Sequence, residues 1–148
     1  MSPRMTNPSL VVPDALQPLL DLSKVINKVG VPQQTLDLVR LRVSQINGRI
    51  YLFPRDLGKA GETDERLPMV TAWRDESCFN DAERAALALA EAASRLSDRV
   101  NPVPDEVWEE AARHYNEQEL GALVIQIGLV NLWNCVNVAT KQVPADWR

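Results

Sequence analysis

Two helix-capping signatures constrain the architecture more than any other feature. Asn80-Asp81-Ala82-Glu83 and Asn116-Glu117-Gln118-Glu119 each place a side-chain acceptor ahead of an acid at the third following position. In that arrangement the two side chains satisfy backbone N–H groups reciprocally at a helix N-terminus. Long tracts with apolar residues at helical period follow both, so the sequence predicts helices over about 81–97 and 117–141. The rest of the chain keeps the same period. Val12-Pro13-Asp14 opens a helix carrying Leu16, Leu19, Leu20, Leu22 and Ile26 to about Val29, ended by Gly30. Pro32 opens the next, which carries Leu36 through Ile46 and closes at Asn47-Gly48, a pair suited to a left-handed cap. Leu67, Val70 and Trp73 predict a third helix past Thr63, with Pro68 tolerable in its first turn, and a short helix at Asp105–Tyr115 follows a loop with two prolines. With no period-two strand and no internal repeat, the chain reads as all-α, a bundle of six to seven helices in one domain over 1–148, with 1–10 as a flexible arm.

The 148 residues suffice for a core without disulfides or metal. Cys78 and Cys135 are far apart and lack metal-ligand spacing, and no apolar leader stands near Met1, so a reduced cytoplasmic setting is expected. A net charge of −4 with basic residues scattered among acids leaves no footprint for nucleic acid or an anionic membrane. The longest apolar run, near Ala122–Val130, is interrupted by Gln126 and too short to span a bilayer. One histidine, His114, and no convergent acid cluster imply no metal or cofactor. His114 itself sits where a cation favours a helix C-terminus.

The segment Leu38-Val39-Arg40-Leu41-Arg42-Val43-Ser44-Gln45-Ile46-Asn47-Gly48 resembles the entry to the active site of the carboxymuconolactone decarboxylase / alkylhydroperoxidase D-like family. There the next residues read Cys-x-x-Cys-x-x-x-His; in register, this chain has Arg49 and Leu52 at the cysteines and Asp56 at the histidine. The acid of the peroxidase members falls on Asp37. The resemblance continues through Lys59–Leu67, Ala72-Trp73-Arg74, Asp81–Ala92 and Asn131-Leu132-Trp133-Asn134, nearer in its flanks to the peroxidase branch than to the decarboxylase branch. It implies an alkylhydroperoxidase D-like helical bundle that associates as a dimer, trimer or hexamer.

Without a thiol pair between residues 37 and 56, dithiol-dependent peroxidase chemistry is not expected at that position, because neither arginine, leucine nor aspartate exchanges with a disulfide. Pro54 lacks an N–H and displaces Phe53 from helical dihedrals, so Arg49–Phe53 is expected to be irregular, with a helix restarting at Pro54 and capped by Gly61. An arginine at position 49 needs a partner, and family geometry offers Asp37. One reading displays the pair to a ligand: Arg49 grips a carboxylate or other oxyanion, Tyr51 donates a hydrogen bond or proton, and Asp56 or Asp37 is the base. The other has Arg49 simply neutralise Asp37 in a plugged pocket. Phe53 and Tyr51 could stack on a planar substrate or fill core. Asn131, Asn134 and Asn137 recur on an apolar helix and must find hydrogen bonds; they brace neighbouring backbone or, Asn134 above all, contact substrate. Cys135 is expected to be a buried, inert thiol, and Arg40, Arg42 and Arg74 to be solvated or paired with acids.

Three functions remain open. The first is a cofactor-free non-redox enzyme, of lyase, decarboxylase, isomerase or cyclase type, acting in biosynthesis on a small anionic or carbonyl-bearing molecule. The second is a non-catalytic binding or scaffold oligomer. The third is residual peroxidase-type activity through Cys78 or Cys135.

Overall fold

In the computed structural model the described residues are 2–48, 66–96 and 99–142. Among them every regular element is helical: α1 (Pro8–Val11), α2 (Leu16–Asn27), α3 (Gln33–Ile46), a 3₁₀ helix η1 (Leu67–Asp75), α4 (Asp81–Ser94), α5 (Asp105–His114) and α6 (Glu117–Thr140).

Both capping signatures are formed. Asn80 Oδ1 accepts from the Glu83 N–H at 2.8 Å while Glu83 Oε1 accepts from the Asn80 N–H at 2.9 Å, and Asn116 and Glu119 repeat the exchange at 2.9 Å in each direction. At the far end of α3, Gly48 adopts φ 70°, the left-handed cap that Asn47-Gly48 predicts.

Local chemistry explains where elements differ from expectation. Asp14 takes φ 66°, outside the helical region, so α2 starts at Leu16 rather than at Pro13. Of the arm expected to be flexible over 1–10, residues from Arg4 onward are tied down by hydrogen bonds. Asn7 caps α1 through the Ser9 N–H at 3.0 Å, the Arg4 N–H donates to the Thr140 carbonyl at 2.7 Å, and Gln142 Nε2 donates to the Met5 carbonyl at 2.9 Å. The third helix is 3₁₀, with Pro68 in its first turn and a kink at Ala72 (φ −110°, ψ 31°).

α3 lies at the centre because it is apolar on two faces. Leu36, Val39 and Val43 join the main core with α4, α5 and α6, while Leu38 and Leu41 turn towards Val70, Trp73, Phe79 and Leu87 in a second cluster. The alanines of α4, among them Ala85, Ala86 and Ala90, let it approach α3 and α6 closely. α6 contains an 18-residue stretch with a mean hydropathy of 1.6 and is by length and composition long and apolar enough to cross a membrane, which the Ala122–Val130 run did not suggest. In the fold it packs on α2, α3, α4 and α5, burying Leu120, Leu123, Ile127 and Val130, and leaves Val124, Ile125, Leu132 and Val138 exposed.

Candidate functional site

Three elements converge where α3 ends. The chain leaves α3 at Asn47-Gly48 and passes directly to Arg49, and α6 and the end of α4 face that exit. Asn47 Nδ2 donates to Asn131 Oδ1 at 2.8 Å, while Asn131 Nδ2 donates to the Ile127 carbonyl at 2.8 Å and reaches Ser94 Oγ at 3.3 Å. This polar relay therefore links α3, α6 and α4. Asn47, Ser94, Asn131, Asn134, Cys135 and Val138 line a cavity of about 350 Å³ beside it.

A second network fixes the same end of α3 from below. Glu91 on α4 is 5 % exposed; its Oε2 accepts from Arg42 Nε at 2.7 Å and Trp73 Nε1 at 3.0 Å, and its Oε1 from Arg74 at 2.5 Å. Arg42 also donates to Gln45 Oε1 at 3.2 Å, and the Arg74 guanidinium stacks 4.3 Å from the centroid of the Trp73 ring. Burial pushes the Glu91 carboxyl up, but the hydrogen bonds from Arg74, Trp73 and Arg42, with the charge of Arg42, outweigh it and hold the carboxyl below the usual range. Arg42 and Arg74 are thus paired, one of the two alternatives their sequence left open.

Of the sequence-derived site residues, Arg49, Tyr51, Phe53 and Asp56, together with the irregular lead-in and the helix from Pro54, lie outside the described residues. Asp37 and Asn134 are described, and both are 4 % exposed. Asp37, on the first half of α3, accepts from Gln33 Nε2 at 3.1 Å. Asn134 lines the cavity at the other end of that helix; Asp37 is not among its walls.

The asparagine row corrects one expectation. Asn131 is fully engaged, but Asn134 Nδ2 and Asn137 Oδ1 have no hydrogen-bond partner among the described residues, although each side chain is buried. A lone buried amide atom costs about 1–3 kcal/mol, a cost that bracing alone does not explain. Cys135 corrects another: it is exposed and borders the polar cavity, as Cys78 is exposed elsewhere, with its Sγ 3.6 Å from Met69 Sδ. His114 pairs with Glu110 at 3.1 Å. That contact, with burial opposing and Arg113 assisting, holds the Glu110 carboxyl below the usual range. No group of three or more metal-ligating side chains occurs among the described residues.

Ser94 and Glu91 were not singled out from sequence, and Asn47 was read only as part of a helix cap. A signal existed for two of them: Glu91 and Ser94 fall on the stripe of α4 that carries Leu87 and Ala90, and a polar residue on a buried stripe asks for a partner.

The fold is shared with solved structures. The crystal structure of a protein of unknown function from Agrobacterium tumefaciens, suggested to be the antioxidant defence protein AhpD, matches with a TM-score of 0.85 at 22 % identity, over 96 % of this chain and 97 % of that one. The debrominase Bmp8, a cysteine-to-alanine variant in complex with 2,3,4-tribromopyrrole, matches with a TM-score of 0.75 at 23 % identity, over 90 % of this chain and 72 % of that one. Among sequences, the uncharacterized protein YdfG of Bacillus subtilis (strain 168) is 30 % identical over 132 residues, 87 % of this chain and 88 % of YdfG. The uncharacterized protein YnjA of Escherichia coli (strain K12) is 41 % identical over 88 residues, 60 % of this chain and 46 % of YnjA. The profile of the carboxymuconolactone decarboxylase family matches residues 13–92, from the approach to α2 to the last turn of α4. The chain belongs to the carboxymuconolactone decarboxylase family.

Proposed function

We propose that the protein is a cofactor-free enzyme of this family whose chemistry does not run through a cysteine pair. The reaction is of lyase, decarboxylase, isomerase or cyclase type on a small anionic or carbonyl-bearing molecule. The observation that carries this reading is the polar cavity at the exit of α3, which opens where the sequence enters Arg49–Asp56 with arginine and leucine at the family's cysteine positions. In this reading Arg49 holds the substrate oxyanion, Tyr51 donates a hydrogen bond or proton, Asp56 or Asp37 accepts one, and Phe53 and Asn134 contact the substrate body. The debrominase of the same fold, in complex with a brominated pyrrole, supports a role for such a bundle on small planar molecules. The apolar residues exposed along α6 support a homo-oligomer, a dimer, trimer or hexamer, that covers them. No nucleic acid or membrane partner enters the proposal, and the setting is cytoplasmic.

The test incubates the protein with pools of small carboxylates and ketones without added thiol and follows consumption by mass spectrometry. Arg49→Ala and Tyr51→Phe abolish the turnover while light scattering shows the assembly unchanged; full turnover by both variants overturns the assignment.

One observation favours a second reading. Cys135, exposed at the cavity, could serve as a single-thiol reductant: its thiolate takes one peroxide oxygen, releases the alcohol and becomes a sulfenic acid that an external thiol reduces back. Thiol-dependent peroxide consumption lost in Cys135→Ala would establish this instead.

A further inference from the structure

A second cavity, of about 320 Å³, lies between α2, α3 and α6. Leu16, Leu19 and Leu20 of α2 form one wall, and α6 presents Trp133, Asn134 and Asn137. The two asparagines are the buried pair described above, with Asn134 Nδ2 lacking an acceptor and Asn137 Oδ1 lacking a donor among the described residues. Spaced three apart on one helix, they are neighbours on its surface. The cavity thus sets one orphan donor beside one orphan acceptor in a wall of apolar side chains that also carries Ser23, Arg40 and Ser44, a few polar groups in an apolar lining being the pattern by which small-molecule pockets fix orientation.

We infer that this cavity binds a small, planar, largely apolar molecule with a lactam-type edge, its carbonyl accepting from Asn134 Nδ2 and its adjacent N–H donating to Asn137 Oδ1. A cyclic amide holds its carbonyl and N–H on the same side of the ring, so one edge satisfies both asparagines while the ring lies against the leucines and Trp133. Arg40 at the wall suits an anion, but an anion brings no donor for Asn137 Oδ1 and so leaves half of the pair unmet. The inference shares Asn134 with the substrate contacts proposed above but needs neither Arg49 nor Tyr51, and Asn137 has no part in that set.

The probe is 2-quinolinone, a bicyclic lactam, with quinoline as the control that keeps the shape and lacks the amide edge. Calorimetric titration gives saturable binding of 2-quinolinone and about a hundredfold weaker binding of quinoline, the difference of two hydrogen bonds. Asn137→Leu and Asn134→Leu each weaken 2-quinolinone by about tenfold and narrow its advantage over quinoline by the same factor. Should either variant fail to fold, the side-chain ¹⁵N resonance of Asn134 in the unaltered protein reports directly, shifting on titration with 2-quinolinone but not with quinoline. Absence of saturable 2-quinolinone binding, equal affinity for both compounds, undiminished binding in the folded variants, or an unmoved Asn134 resonance would each overturn the assignment.

Discussion

Arg42 Nε lies 2.7 Å from Glu91 Oε2, tying α3 to α4 within two turns of the point where the chain enters the family's active-site segment. Glu91 also takes Arg74 and the Trp73 indole, so one carboxylate holds three elements together.

Removing that carboxylate strands Arg42, whose side chain is only 12 % exposed. Glu91→Ala should cost about 3–5 kcal/mol, the range for breaking a buried pair from one side. Urea unfolding checks this; a loss below about 1 kcal/mol, typical of surface pairs, would show the network to be solvated in solution.

The same group predicts acid sensitivity. Its folded pKa is depressed, so its stabilisation is present above the unfolded value near 4.5 and is lost as pH falls through the lower folded value. Glu91→Gln should flatten the acid limb of melting temperature against pH; an unchanged limb would assign it to other carboxylates.

Tyr115 predicts the opposite limb. Burial pushes its hydroxyl up to about 12, with the charges of Glu83 and Glu119 assisting and a Thr35 hydrogen bond opposing. Because the folded value is raised, the contribution is complete below pH 10.0 and lost as pH rises to about 12. The shift corresponds to about 2–3 kcal/mol across that window. Tyr115→Phe should remove this limb and, by losing the 2.7 Å bond to the Ala82 carbonyl, cost about 1 kcal/mol at neutral pH.

Asn131→Leu should separate the relay from mere packing. It removes the acceptor for Asn47 Nδ2 and the bonds to Ser94 and the Ile127 carbonyl, so about 1–3 kcal/mol is lost. Amide hydrogen exchange should rise first at Gln45–Gly48; uniform acceleration along α3 would contradict a local role.

Both thiols should react with a chromogenic disulfide reagent in the native protein, because Cys78 and Cys135 are exposed. Protection of Cys135 until denaturation would mean that an assembly contact covers the cavity mouth.

Sequence alone carried the helices whose ends are chemically marked. Asn80 and Asn116 announced α4 and α6, and Gly48 announced the end of α3, because a cap is a local interaction among neighbouring residues. Elements governed by backbone strain were harder to read: the left-handed Asp14 is marked only by aspartate's weak tolerance of that region, and the kink at Ala72 carries no side-chain signature. The site was legible only in outline. Asn134 could be named from its place on an apolar helix, but Arg42, Trp73 and Arg74 come to Glu91 from distant positions, and no short-range pattern encodes such a meeting. Cys135 was misplaced because thiols are usually buried, whereas the row it occupies on α6 turns outward beside Leu132 and Val138.

The docked arm changes how the last turn of α6 is closed. Thr140 and Ala139 would leave their carbonyls to solvent, yet the backbone N–H of Arg4 serves the first at 2.7 Å and its guanidinium the second at 3.2 Å. Clipping the chain before Asn7 therefore returns two carbonyls to solvent at a helix end more than a hundred residues away in sequence, one turn from Asn137, and leaves that end to its Lys141 cap. A protease acting on the first few residues would thus act on a helix end that neighbours a distant cavity.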